Sequence, residues 1–313
     1  MIRLLSSEYL RARSRDVLKM LFVAAALGTI VGMSIAGWNS TPAEPLSGQA
    51  LQSYQADLQR CLDGHFFGRK QELPRGYDTV EGFCADAVRP EYYGEGSHTM
   101  QLAGLENILE GLSSLVVLMG VVVGASLGGA DWSVRTMATL LTWEPRRARV
   151  LLARALVVVV TVFLLTLAVQ SFFVIVFRAA IALRGSADGL PPHFAKDIVE
   201  VVLRTSAVAA LFSLLALAVA TLGRSTAAGI GILFGYLVLV EGFLANLIRW
   251  LPRWTLVRSA VSVISQDPVL AQTANGFRSK EVLSPSGALV VVIGYAVLTF
   301  ALALGAFRVR DVD

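Results

Sequence analysis

Charge is scarce in this sequence, with Asp, Glu, Lys and Arg making up 16% of its 313 residues. Histidine occurs three times, cysteine twice, and lysine four times against 23 arginines. No GxxxxGK[ST] motif is present, so the chain has no phosphate-cradling loop of its own. No Ser/His/Asp set and no pair of inner carboxylates forms a catalytic constellation, and no metal site is expected. The chain is therefore read as non-enzymatic by itself. The formal charge of +4 is spread over the flanks of apolar runs and gathers into no basic face, which argues against nucleic acid as a partner. The arginine skew suits a high-GC bacterial genome.

What is abundant is apolar residue, at 55% of the chain and a mean hydropathy of +0.63. These residues are gathered into six runs, 17–38, 112–130, 151–177, 199–222, 226–248 and 286–307. Each is long enough to cross about 30 Å of hydrocarbon as a helix. Inside lipid every backbone amide must be satisfied within its own segment, so helices are expected and open strands are not. The fold class follows: an all-α integral membrane protein with six transmembrane helices. The first run is too long for a signal-peptide core, despite the small residues Ser34 and Ala36, and is read as an uncleaved anchor.

Lys and Arg orient the spans. With the N-terminus inside, the inner segments carry 12 basic residues in 47 and the outer ones 13 in 131. Density favours this orientation, and the positive-inside rule weights short loops. Both termini are expected on the cytoplasmic side of a bacterial inner membrane.

Residues 39–111 form an outer segment of 73 residues with 11 acidic and 5 basic side chains, long enough to be an extracytoplasmic cap. Within it, 49–63 has helical character and 64–98 reads as irregular. Both cysteines, Cys61 and Cys84, fall here, and on the oxidising side of a membrane they argue for one disulfide. Closing a loop of about 24 residues would stabilise the cap by roughly 3 kcal/mol in the chain-entropy treatment. A rival reading joins Cys61, His65, Cys84 and His98 in a zinc site, but their spacing matches no common finger.

At the N-terminus, 1–16 sets Ile2, Leu5, Tyr9 and Ala12 at helical spacing among arginines, the pattern of an amphipathic helix on the inner surface. The second run carries Gly120, Gly124 and Gly128, and the fifth Ala227, Gly231 and Gly235. Small residues four apart let helix backbones approach closely, so these positions are candidates for helix packing or a dimer face. Three polar residues inside the runs, Gln170, Arg204 and Glu241, stand at similar depth and are candidates for lining a translocation route. An Arg204 to Glu241 ion pair is the natural expectation.

The most informative stretch lies between the second and third runs, where an apolar span gives way to a charged hinge, DWSVRTMATLLTWEPRRARVLLAR. It resembles the junction between the second and third spans of permease subunits in type 2 ABC exporters. There an acidic residue, a Gly-Thr pair, a Leu-Leu and a Pro-x-Arg segment recur in the helix that docks into the ATPase. Carried over, the acidic position is Asp131, the threonine Thr136, the leucines Leu140 and Leu141, and the final segment Glu144, Pro145, Arg146 and Arg147. The chain departs from the pattern at two places, with aspartate in place of the usual glutamate at 131 and Arg135 in place of the usual glycine.

The resemblance implies one six-span transmembrane domain over 1–313 with a cytoplasmic coupling segment at 132–147. It implies two separately encoded ABC ATP-binding subunits as partners, which hold ATP and magnesium, with no cofactor in this chain. It also implies a second permease copy or sister permease, in contact with membrane lipids. The function implied is outward movement of an amphipathic, lipid-like or drug-like substrate. The alternative is a non-transporting membrane scaffold or sensor with the cap as receptor. A proton-coupled carrier would show more buried ionisable residues and inverted repeats.

Overall fold

A computed structural model describes residues 2–40, 48–66, 69–70, 79–88, 93, 100–133, 146–185, 187, 190, 193–248, 250–272 and 279–309. In chain order its elements are α1 (Ile2–Arg13), α2 (Asp16–Asn39), α3 (Gly48–Leu62), β1 (His65–Phe66), β2 (Arg69–Lys70), α4 (Val80–Ala87) and α5 (Leu105–Ser133). There follow α6 (Arg147–Arg184), α7 (Phe194–Leu222), α8 (Thr226–Tyr236), α9 (Leu256–Ser265), β3 (Val269–Gln272), β4 (Ser279–Leu283) and α10 (Pro285–Val309). α8 continues through a π-helical stretch, Leu237–Leu244, which completes the fifth apolar helix. Among the described residues six helices are thus long and apolar enough to cross a membrane, each overlapping one of the runs read from the sequence. α5 starts well before residue 112 and α6 runs past 177, because helical hydrogen bonding continues into flanks that hydropathy alone excludes.

The chain divides into two compact units. The larger holds residues 1–29, 105–175 and 192–313. In it α5 and α7 run parallel with their backbones in close contact. A Cβ on Gly120 would lie 2.8 Å from the Ala209 carbonyl oxygen, and one on Gly128 2.7 Å from that of Leu217. One on Gly124 would overlap the backbone of Ser213. The glycine series of the second span is therefore spent on the fourth span of the same chain, as close helix approach in lipid requires small residues. Among the described residues nothing lies within 4 Å of a Cβ built on the fifth span's Gly231 or Gly235. α7 turns into α8 through Gly223, Arg224 and Ser225, with Arg224 at a left-handed φ of 51°. The Ser225 hydroxyl caps α8 by accepting the Ala228 N–H at 3.4 Å.

Before the sixth span the chain forms α9 and an antiparallel β3–β4 hairpin, elements not expected from the sequence. α9 is capped from the fifth span, since the Tyr236 phenol oxygen accepts the Leu256 N–H at 3.1 Å and Glu241 Oε1 accepts that of Val257 at 2.6 Å. A carboxylate there satisfies an orphan donor and meets the positive end of the helix.

The smaller unit holds residues 30–104 and 176–191. α3 covers the stretch expected to be helical, whereas α4 and the β1–β2 pair lie where irregular chain was expected. Cys61 and Cys84 are joined by a disulfide and pack with Phe83, Leu58, Val80 and Val88. That bond removes both thiolates which a site with His65 and His98 would need. The Tyr93 hydroxyl donates to Asp57 Oδ2 at 2.7 Å, and its ring meets Tyr54 edge-on at 5.7 Å.

Candidate functional site: a buried ionic cluster at the base of the second and third spans

Asp131 lies in the last turn of α5, where the negative end of the helix disfavours a carboxylate. Three arginines compensate it. Arg154 Nη2 donates to Asp131 Oδ2 at 2.5 Å, Arg15 Nη2 to Oδ1 at 3.0 Å, and Arg11 Nη1 to Oδ2 at 3.3 Å. A second carboxylate, Glu8, accepts from Arg154 Nε at 3.4 Å and from Arg11 Nη1 at 3.3 Å. Arg154, Asp131 and Glu8 are each at most 5% exposed. The planar guanidinium of Arg154 spans two acids through different nitrogens, which a lysine ammonium would not do in the same geometry.

Local sequence explains the convergence. Arg154 belongs to the buried stripe of α6 with Leu151, Ala155, Val158 and Val162, at helical spacing. Glu8, Arg11 and Arg15 stand three and seven residues apart, so α1 and the turn after it present them together. Of the apolar face expected on α1, Ala12 is buried and Tyr9 is 51% exposed, and Glu8 is buried as well. α1 thus docks on the ends of α5 and α6 by a charged face. The side chains of Ile2 and Leu5 are outside the described residues. Next to Asp131, the Arg224 guanidinium lies 5.0 Å above the Trp132 ring, and Trp132 meets Phe307 edge-on, so the α7–α8 turn and α10 reach this end too.

Among the described residues the cluster brings three arginines to two carboxylates. It sits at the base of the segment joining α5 to α6. Of the residues expected there, Arg135, Thr136, Leu140, Leu141, Glu144 and Pro145 lie outside the described residues. Arg146 is exposed and its carbonyl accepts the Arg149 N–H at 2.9 Å, opening α6, and Arg147 is the first residue of that helix.

The three polar residues expected to line a route are not brought together. Arg204 donates to Glu200 at 2.5 Å and to the Ile264 carbonyl at 2.9 Å, not to Glu241. Glu241 caps α9 instead. Both residues found partners one helical turn away or on a neighbouring backbone, which hydropathy does not encode. Gln170 is buried with neither amide atom hydrogen-bonded among the described residues. Sequence reasoning passed over Glu8, Arg11, Arg15 and Arg154. The available signal was Arg154, a lone cation four residues inside an apolar run, which demands a buried anion. Comparison with protein families, with curated proteins and with solved structures found no match.

Proposed function

We propose that this chain is the transmembrane permease subunit of an ATP-driven exporter, with hydrolysis carried out by two separate ATP-binding subunits. The observation that carries the reading is the ionic cluster, which ties α1, the end of α5 and the start of α6 into one block around the segment that resembles a coupling helix. Buried ion pairs lose much of their energy when one partner is pulled away, so such a block moves as a unit. An ATPase pushing on 132–147 would then tilt the second and third spans together. Alternating access needs two states that ATP stabilises differently, and a rigid lever supplies the connection. A second permease copy fits the first and fifth spans, whose apolar helices are almost wholly unburied in the single chain. In this reading the cluster end is cytoplasmic, the disulfide-bonded cap is outside, and the cargo is amphipathic or lipid-like.

The test is co-purification of the tagged chain with an ABC ATP-binding subunit from the same cells, followed by transport in vesicles. Replacing Leu140 and Leu141 together by Ala is expected to release the ATPase or to uncouple hydrolysis from transport, because buried apolar anchors dominate such interfaces. A paired change in the cap, Phe66 and Phe67 to Ala, should leave the ATPase bound. Retained ATPase and full coupling in the inner variant would favour the scaffold reading instead.

A further inference from the structure

Within the larger unit, α5, α7, the fifth span and α9 enclose a cavity of about 360 Å³, a size typical of small-molecule sites. Its floor is buried hydrocarbon, made by Val117, Val121, Phe212, Ala260 and Ile264. The lining hydroxyls are turned to the backbone. Ser113 and Ser114 donate to the carbonyls of Glu110 and Gly111, and the Tyr236 oxygen accepts the Leu256 N–H. A buried water needs about two to four polar partners, and a buried charge needs an ion partner as well. This wall is poor in the first and lacks the second, so the chamber takes hydrocarbon.

The mouth of the cavity is apolar too. Leu118, Phe234 and Val261 line it and are each half exposed or more. Leu118 and Phe234 belong to helices long and apolar enough to cross a membrane, with Phe234 near the middle of its own. On α5 the lining runs from 113 to 122, roughly 13 Å at 1.5 Å per residue. Spread over that length, 360 Å³ leaves a cross-section of roughly 28 Å², the bore of one extended hydrocarbon chain. An α-helix with its side chains is about 10–12 Å across, so a second copy could cover the mouth but not fill the bore. The far wall is held in place, since Tyr236 and Glu241 tie the first two residues of α9 to the fifth span. A dry void forfeits dispersion contacts along its whole lining, and a chain from the surrounding lipid restores them.

We propose that this cavity seats one acyl chain of a membrane lipid, which enters past Leu118, Phe234 and Val261 and lies against Val117, Val121, Phe212 and Ala260. The lining presents no charged side chain, so the seat selects the chain and is indifferent to the head group. The inference goes beyond the exporter reading and does not rest on it, because the seat needs neither an ATPase nor transport.

The experiment mixes phosphatidylcholine carrying a photoactivatable diazirine in one acyl chain into nanodiscs that hold the full chain, and locates the labelled residues by mass spectrometry. Leu115 is the reference for ordinary boundary lipid. It lies on α5 outside the cavity and is 59% exposed, against 8% for Val117 and 9% for Val121. The expected result is label at Val117 and Val121 at least equal to that at Leu115, despite their burial. Ala260→Trp, which fills the chamber, should lower label at Val117 and Val121 about tenfold and leave Leu115 unchanged. The same probe with a phosphatidylglycerol head should label them equally. Label confined to Leu115 and other outward-facing residues overturns the proposal. So does unchanged labelling in a folded Ala260→Trp protein, or a preference of about tenfold for one head group. Label at Val117 and Val121 in nanodiscs holding one copy but not in those holding two would give the mouth to a second copy, which overturns it equally. Should Ala260→Trp not fold, excess 1-decanol decides on the unaltered protein. It must deplete label at Val117 and Val121 and not at Leu115, and parallel depletion at all three positions overturns the seat.

Discussion

The Arg154 guanidinium holds the Asp131 carboxylate at 2.5 Å, joining the end of one apolar helix to the start of the next across 23 positions of sequence. Both are nearly inaccessible, and Arg154 reaches Glu8 through its second face. Removing one member of such a set leaves uncompensated buried charge. Arg154→Met is expected to cost about 3–5 kcal/mol, and Arg154→Lys a smaller amount. Asp131→Leu added to Arg154→Met should recover part of the loss. Thermal unfolding of the purified protein measures this, and an unchanged melting temperature in Arg154→Met would remove the cluster from the structural account.

The two glycine series should behave oppositely. Gly124→Val is expected to destabilise the fold by more than the about 1–3 kcal/mol of ordinary overpacking, because the added carbons meet the Ser213 backbone and not a movable side chain. Gly231→Val and Gly235→Val meet nothing among the described residues and should leave the folding yield intact. Fluorescence-detected size exclusion reads the yield. A loss of dimer with retained folding in the fifth-span variants would place the partner copy on that face.

Glu241 accepts the Val257 N–H at the start of α9, so Glu241→Ala should cost about 1 kcal/mol as the loss of a helix cap does. Glu241→Gln keeps an acceptor and should cost less. Hydrogen exchange of the segment containing Val257 is the specific readout, with faster exchange expected in Ala and near-normal exchange in Gln. Equal protection in all three forms would contradict the cap.

The Cys61–Cys84 bond should survive purification without reductant and appear as linked peptides in mass spectrometry. Cys61→Ser with Cys84→Ser is expected to lower the stability of the smaller unit by roughly 3 kcal/mol. Free alkylation of both thiols in unreduced protein would be the contrary result.

Burial and the hydrogen bond to Asp57 push the Tyr93 phenol from 10.0 up to about 12. A folded-state value above the unfolded one means that its contribution is complete below pH 10 and is lost as pH rises through about 12. Spectrophotometric titration should show a tyrosine ionising near pH 12, and Tyr93→Phe should remove that step. A titration indistinguishable between the two proteins would refute the arrangement.

Hydropathy along the chain determined that there are six apolar helices and nearly where each lies, because in lipid the cost of exposing backbone amides makes span length and apolarity sufficient. The two cysteines stood out by their rarity and their place in one outer segment, and Asp131 through the resemblance of the stretch that follows it to a coupling segment. Which residues meet was decided only by the tertiary structure. Arg204 took Glu200 and a carbonyl, Glu241 took a helix end, and Asp131 drew in Arg11, Arg15 and Arg154 from two other elements. The physical reason is rotational phase. A run of apolar residues specifies that a helix crosses the membrane, but the face it turns to each neighbour depends on close packing such as Gly124 against Ser213, and that phase sets every partner of a buried charge.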